Sequence, residues 1–254
     1  IETSTQVPIL GVIPEIRSST SSPFYIVDNP RSVVSEAIRT LRTNLDFFTS
    51  SNPKKVIVIS STVSGEGKSF LAMNLGGILA LSRKKVVLLD LDMRKAKSTA
   101  YPGTDPTKGV SSILIHRNEL NDCIVKTSVE GFDFIPSGIH PPNPSELLLN
   151  GEFEGLLSEL RKTYDYIVID TPPVGLVTDG IMAMKRADLS IYVVRANYSK
   201  KEFLRNIERI VSINKLSNVA VVLNALPSSG KTYGYGYYQE DRLKQPWLKK
   251  ILRS

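Results

Sequence analysis

Val56-Ile57-Val58-Ile59-Ser60-Ser61-Thr62-Val63-Ser64-Gly65-Glu66-Gly67-Lys68-Ser69-Phe70 carries the reading of the fold. Its apolar head is β-branched and continuous, which predicts a strand covered on both faces. A helix is predicted from Lys68 to Leu81. Between them, Gly65 and Gly67 let successive backbone N–H groups turn inward around oxygens. The helix adds the positive end of its dipole. Strand, glycine loop and helix in that order are what a phosphate loop needs. Lys68 is placed to reach β- and γ-phosphates, and Ser69 to bind Mg²⁺. Thr62, Val63, Ser64, Gly65, Glu66, Gly67 and Phe70 complete the candidate nucleotide-binding stretch. The consensus has Gly where Thr62 stands, so the loop is a variant. The bland alternative is a surface turn ahead of a helix.

Outward from this loop the pattern repeats. Strand-length apolar runs occur at Val86–Leu89, Phe132–Ile135, Tyr166–Ile169, Ile191–Val194 and Val219–Leu223. Helical stretches are read at Phe153–Lys162, Leu176–Lys185 and Lys201–Ile213. Strands alternating with helices imply a doubly wound α/β fold, its sheet mostly parallel and helices on both faces. Ahead of the loop, Val34, Ile38, Leu41, Leu45 and Phe48 recur at helical spacing, with Ser32 as a candidate N-cap. Residues 1–30, punctuated by Pro8, Pro14, Pro23 and Pro30, read as a linker or arm. Within it, Val7–Pro14 could dock as an edge strand. Residues 31–226 form the expected domain, and residues 227–254 a flexible tail.

Composition narrows the class. The chain has 254 residues, 41% of them hydrophobic and 22% charged, enough to build a core and to exclude wholesale disorder. One cysteine permits no internal disulfide, and two histidines leave no zinc cluster. No apolar run approaches the ~18 residues of a membrane helix. The net charge, 32 − 25 = +7, favours anionic partners without choosing among them. The chain opens on Ile1 with no signal-peptide pattern. It is therefore expected to be processed or part of something longer, with any membrane segment upstream.

Acids stand at two further strand ends. Val86–Leu89 runs into Asp90-Leu91-Asp92-Met93-Arg94, and Tyr166–Ile169 into Asp170-Thr171-Pro172-Pro173. Ligands of open α/β sheets sit beyond the carboxyl ends of the strands. Three strands therefore deliver a phosphate loop and three carboxylates to one rim, and carboxylate oxygens suit Mg²⁺. A lone Asp after a strand is usually a cap or turn residue; Asp179 is as easily a cap as a functional acid.

Together the variant loop, Asp90-x-Asp92-x-Arg94 and Asp170-Thr171-Pro172-Pro173 resemble the bacterial tyrosine kinases. These are the cytoplasmic kinase domains of polysaccharide co-polymerases, related to the ParA/MinD ATPases. Glu36-Ala37-Ile38-Arg39-Thr40-Leu41-Arg42 resembles that family's E-x-x-R-x-x-R oligomerisation helix. Pro141–Leu148 resembles its segment between the second and third motifs, and Leu10–Pro14 the sequence following its second membrane helix. Tyr233, Tyr235, Tyr237 and Tyr238 resemble its terminal tyrosine cluster. The resemblance covers about Leu10 to Tyr238.

The resemblance implies a protein-tyrosine kinase that uses ATP, leaves ADP and requires Mg²⁺. Lys68 and Ser69 would hold phosphate and metal. Asp90 and Asp170 would bind Mg²⁺ directly or through water. Asp92 would act as base, or orienter, for the incoming tyrosine hydroxyl. Asn224, closing the last strand, would contact adenine. Tyr233, Tyr235, Tyr237 and Tyr238 would be the autophosphorylation sites, reached in trans within a ring built through Glu36, Arg39 and Arg42. The implied setting is the cytoplasmic side of a bacterial inner membrane, in capsule or exopolysaccharide polymerisation and export. Implied partners are the chain itself, its upstream membrane region, a cognate tyrosine phosphatase and the export machinery; no nucleic acid is expected.

Other readings stay open. A ParA/MinD-like ATPase switch on membrane or DNA would share the loop, but those proteins carry a signature lysine where Val63 stands. A nucleotide-gated scaffold is a third possibility. Glu36 and Arg39 could form only an i,i+3 ion pair on a solvated face. The tyrosine cluster could be a sticky aromatic tail. The basic end, Arg242 to Arg253 with Trp247, reads as a solvated terminus or a short helix on acidic membrane, which Pro246 would interrupt.

Overall fold

Strand formation follows the β-branched runs, and packing extends most of them by a residue or more. The computed structural model describes residues 5–16, 22–48, 55–94, 101 and 103–227. The expected phosphorylation sites Tyr233, Tyr235, Tyr237 and Tyr238 and the basic end lie outside the described residues. The strands are β1 (Ile9–Pro14), β2 (Lys55–Ser61), β3 (Val86–Asp90), β4 (Val125–Lys126), β5 (Phe132–Ile135), β6 (Tyr166–Asp170), β7 (Leu189–Arg195) and β8 (Val219–Leu226). The helices are α1 (Tyr25–Asp28), α2 (Val33–Phe48), α3 (Lys68–Leu81), α4 (Val110–Leu114), α5 (Leu120–Cys123), α6 (Pro144–Leu149), α7 (Gly151–Thr163), α8 (Asp179–Met184) and α9 (Lys201–Asn214).

One sheet runs β1-β8-β7-β2-β6-β3-β5-β4. Every neighbouring pair is parallel except β4 against β5. Alternation along β2 shows how the two faces are filled. Ile57 and Ile59 join the core under α1, α2 and α3. Val56 and Val58 join the core under α4, α6, α7, α8 and α9. Helices thus cover both faces, the expected doubly wound arrangement. Among the described residues, no helix is long and apolar enough to cross a membrane.

α2 begins where the sequence signals it. The Ser35 N–H donates to Ser32 Oγ at 3.1 Å, a side-chain cap on one of the first helical donors. Ile38, Leu41 and Leu45 are fully buried along its inner stripe. Each such side chain contributes about 1.5–3 kcal/mol relative to exposure.

Two parts of the expected arm pack against the domain, the first of them as the edge strand that Val7–Pro14 could form. β1 takes the sheet edge beside β8, where the Val221 N–H donates to the Pro8 carbonyl at 2.8 Å and Glu15 N–H to Leu226 at 2.9 Å. The register shifts twice along β1, so Leu10 and Ile13, three residues apart, are both buried in the core that α2 covers. Farther on, Phe24, Tyr25 and Ile26 are buried. The reason lies in α3: fully buried Asn74 accepts the Ile26 N–H at 3.1 Å and donates to Pro23 at 3.2 Å. An asparagine amide there replaces the water this backbone would otherwise need.

The helix expected over Leu176–Lys185 also differs. α8 starts only at Asp179. Upstream, the Val174 N–H donates to Ser61 at 2.9 Å and the Gly175 N–H to Thr62 at 3.1 Å. Those donors are committed to the end of β2 and the loop after it, and the Leu176 and Val177 N–H groups close a turn on the Pro173 carbonyl, which delays the helix to Asp179.

Candidate active site at the phosphate loop

The loop after β2 is held open by its own backbone. Gly65 has φ 88° and Gly67 φ 97°, the left-handed region that an L side chain strains to enter. Gly67 is also crowded: a Cβ there would lie 2.0 Å from Asn224 Nδ2. Lys68 and Ser69 open α3 immediately afterwards. Lys68 is buried with 6% exposure.

A brace surrounds the loop from outside. Fully buried Glu66 accepts the Val63 N–H at 2.9 Å and the Ser199 hydroxyl. Asn224 Nδ2 donates to the Glu66 carbonyl at 2.9 Å. Arg195 Nη1 donates to Gly65 at 3.0 Å, and the Tyr198 hydroxyl to Ser64 at 2.9 Å. These contacts occupy loop carbonyls from behind and favour N–H groups turned to the concave side. Thr62 hydrogen-bonds the Tyr192 hydroxyl at 2.7 Å, which accounts for a hydroxyl residue where the consensus has Gly. Burial pushes the Tyr192 phenol well above its ordinary range.

Two of the sequence-predicted residues therefore have a different immediate neighbourhood. The Glu66 carboxylate and the Asn224 amide are engaged with the loop itself. Phe70 packs its ring edge-on to Tyr25, centroids 6.1 Å apart. Arg195, Tyr198 and Ser199 went unnoticed in the sequence because they lie about 130 residues from their partners; no local pattern marks them.

The acids converge through sheet register. β6 lies between β2 and β3, with Ile59 paired to Asp170 and Asp90 paired to Asp170. Adjacent strands are about 4.8 Å apart, so Asp90 and Asp170 stand side by side at one rim. Asp90 Oδ1 accepts the Asp92 N–H at 2.9 Å, turning the chain just beyond the strand. The Leu91 N–H donates to the Asp170 backbone carbonyl at 2.8 Å. Asp90, Asp92 and Asp170 are all buried. Among the described residues no three Asp, Glu, His or Cys side chains form a closed metal cage. A serine hydroxyl and two carboxylates are hard oxygen donors that suit Mg²⁺, an ion that keeps several waters.

The expected oligomerisation residues sit on α2 with partners inside the chain. Glu36 and Arg39 form the i,i+3 pair, and Arg39 also donates to Pro30 at 2.8 Å. Arg42 donates to Ser82 Oγ beyond α3.

This fold and rim define a P-loop nucleotide-binding protein. A family model described as an AAA domain matches residues 54–222. The tyrosine-protein kinase CpsD of Streptococcus agalactiae is 33% identical over 83% of this chain and 92% of its own length. The tyrosine-protein kinase wzc of Salmonella typhi is 34% identical over 88% of this chain; here the match spans only 31% of the relative. Among solved structures, the kinase domain of the Escherichia coli tyrosine kinase ETK superimposes with a TM-score of 0.80. It is 28% identical, covering 91% of this chain and 94% of that one. The chain belongs to the bacterial tyrosine-protein kinase family.

Proposed function

We propose that the chain transfers the γ-phosphoryl group of ATP to tyrosine hydroxyls, first of all to Tyr233, Tyr235, Tyr237 and Tyr238 of a neighbouring copy. The observation that carries this reading is the register pairing of Asp90 with Asp170 beside the braced phosphate loop. Phosphoryl transfer needs mainly positioning and charge neutralisation. The loop N–H groups and Lys68 would hold the phosphates. Ser69, Asp90 and Asp170 would hold Mg²⁺, which supplies positive charge against the phosphate oxygens. Asp92 would accept or orient the proton of the attacking phenol, whose ordinary pKa near ~10 requires such help.

Glu36, Arg39 and Arg42 would serve the contact between copies, after exchange of their internal partners. Each phosphate adds about −1.5 to −2 charge. Accumulated phosphate then separates the copies. Regulation of capsule or exopolysaccharide export at the cytoplasmic membrane face, with a phosphatase resetting the tail, is the setting this reading favours. A ParA/MinD-like switch is disfavoured by Val63 in place of the signature lysine. Incubation with Mg-ATP followed by peptide mapping tests the proposal. Phosphotyrosine within residues 233–238 is expected; phosphate release with no phosphotyrosine refutes it and supports the switch.

A further inference from the structure

Arg94 and the Pro141–Leu148 segment are left without a role in the chemistry above, yet they meet. Arg94 lies two residues beyond Asp92. Its Nε donates to Asp179 Oδ2 at 3.0 Å and its Nη2 to Asp179 Oδ1 at 3.2 Å, a two-point fork. Nη2 also donates to Ser145 Oγ at 3.0 Å, and Ser145 Oγ donates to Asp179 Oδ1 at 2.5 Å. Three distant stretches thus close into one ring: the segment that follows β3, the first turn of α6 and the first residue of α8. The Asp179 side chain is fully buried. Asp179 holds the guanidinium charge in place and raises its affinity for the proton further. A bidentate arginine–carboxylate pair restricts orientation as well as distance.

The clamp is anchored to the platform that carries Asp170. Gly180 follows Asp179, and a Cβ on it would lie 3.2 Å from both Ser60 Oγ and Thr171 Oγ1. α8 therefore begins directly on the ends of β2 and β6. A second tether acts one residue earlier: His140 Nδ1–H donates to the Met93 carbonyl at 2.6 Å. On its other side, Asp92 is held by its N–H to Asp90. The peptide carrying Asp92 is fixed from both directions.

We infer that Arg94, Asp179 and Ser145 form a positioning clamp that sets the Asp92 carboxylate at the reacting hydroxyl, without themselves touching substrate. The inference rests on the assignment of Asp92 given above. Displacement of a catalytic group by about 1 Å costs up to ~100-fold in rate. Loosening the clamp therefore lowers the maximal rate, while the phosphate loop keeps its separate brace of Glu66, Arg195, Tyr198, Ser199 and Asn224.

The test measures initial autophosphorylation rates against ATP concentration in the full chain, with nucleotide affinity from titration of a fluorescent ADP analogue. Asp179→Asn keeps the size and removes the charge. Its maximal rate is expected to fall about 10- to 100-fold, with the ADP-analogue Kd within about twofold of the parent. Arg94→Met is expected to match it, and Arg94→Lys, which keeps the charge without the fork, to recover part of the rate. Combining Asp179→Asn with Asp92→Ala is expected to be no slower than Asp92→Ala alone. The clamp is overturned if Asp179→Asn and Arg94→Met retain the parent rate while Asp92→Ala loses it. It is equally overturned if Kd weakens in step with the rate, or if the double variant shows multiplied losses. An unchanged rate in Asp92→Ala overturns the base assignment and the clamp together. If Asp179→Asn does not fold, the same comparison is read from Arg94→Met and Ser145→Ala.

Discussion

Replacing Gly67 with alanine separates two costs that the loop places on one residue. The backbone there has φ 97° and ψ 17°. An L residue in the left-handed region costs about 1–2 kcal/mol. The new Cβ would also stand 2.0 Å from Asn224 Nδ2. That amide must swing away and give up its 2.9 Å bond to the Glu66 carbonyl. A hydrogen bond of this kind contributes about 0.5–1.5 kcal/mol. Gly67→Ala should therefore destabilise the nucleotide-free protein by about 1.5–3.5 kcal/mol. In an Asn224→Ala background the overlap is gone, and only the backbone cost of about 1–2 kcal/mol remains. The double-mutant cycle should show a coupling of about 0.5–1.5 kcal/mol. Urea unfolding followed by far-UV circular dichroism measures all four corners. Equal losses from Gly67→Ala in both backgrounds would refute the crowding argument. A loss below about 0.5 kcal/mol in the parent would refute the strained-loop geometry as well.

Tyr192→Phe strips the Thr62 hydroxyl of its buried partner. The expected cost is about 0.5–1.5 kcal/mol in urea unfolding, and adding Thr62→Val should restore most of it by removing the stranded group. Alkaline pH should destabilise the fold through its buried phenols. Burial raises Tyr164, Tyr166 and Tyr192, and a bond from Tyr164 to Asp133 raises Tyr164 further. The folded state then keeps protons that the unfolded chain releases near pH ~10, so stability is full below that value and falls as pH climbs past it. Urea midpoints on either side of pH ~10 measure the slope, which Tyr164→Phe should reduce; a flat profile contradicts the raised values. Sedimentation at matched concentration should give a smaller mass for the Mg-ATP-treated protein than for the untreated one. Four phosphates bring roughly −6 to −8 charge against a chain carrying +7. Equal masses would end the charge-repulsion account.

Much of the architecture is legible in local pattern. Runs rich in β-branched residues mark β2, β3, β6, β7 and β8, because a strand covered on both faces needs no polar side. Short elements escaped: α1, α4, α5, α6 and β4 span six residues or fewer, too few for a period to declare itself. β1 takes the edge position open to Val7–Pro14, and its prolines are tolerated there since an edge strand can leave ladder positions unpaired.

For the site the division is equally physical. Lys68, Ser69, Asp90, Asp92 and Asp170 were readable because phosphate loops and acidic strand ends are short-range patterns, set by neighbours along the chain. Sequence alone did not establish that Asp90 and Asp170 are paired. That follows from β6 inserting between β2 and β3, an order chosen by how whole layers bury their faces. The bracing of the loop by Ser199 and Asn224, and the meeting of Arg94 with Ser145 and Asp179, were likewise decided by tertiary packing. Buried polar groups must find partners wherever the fold brings them, and those partners stand far away in sequence.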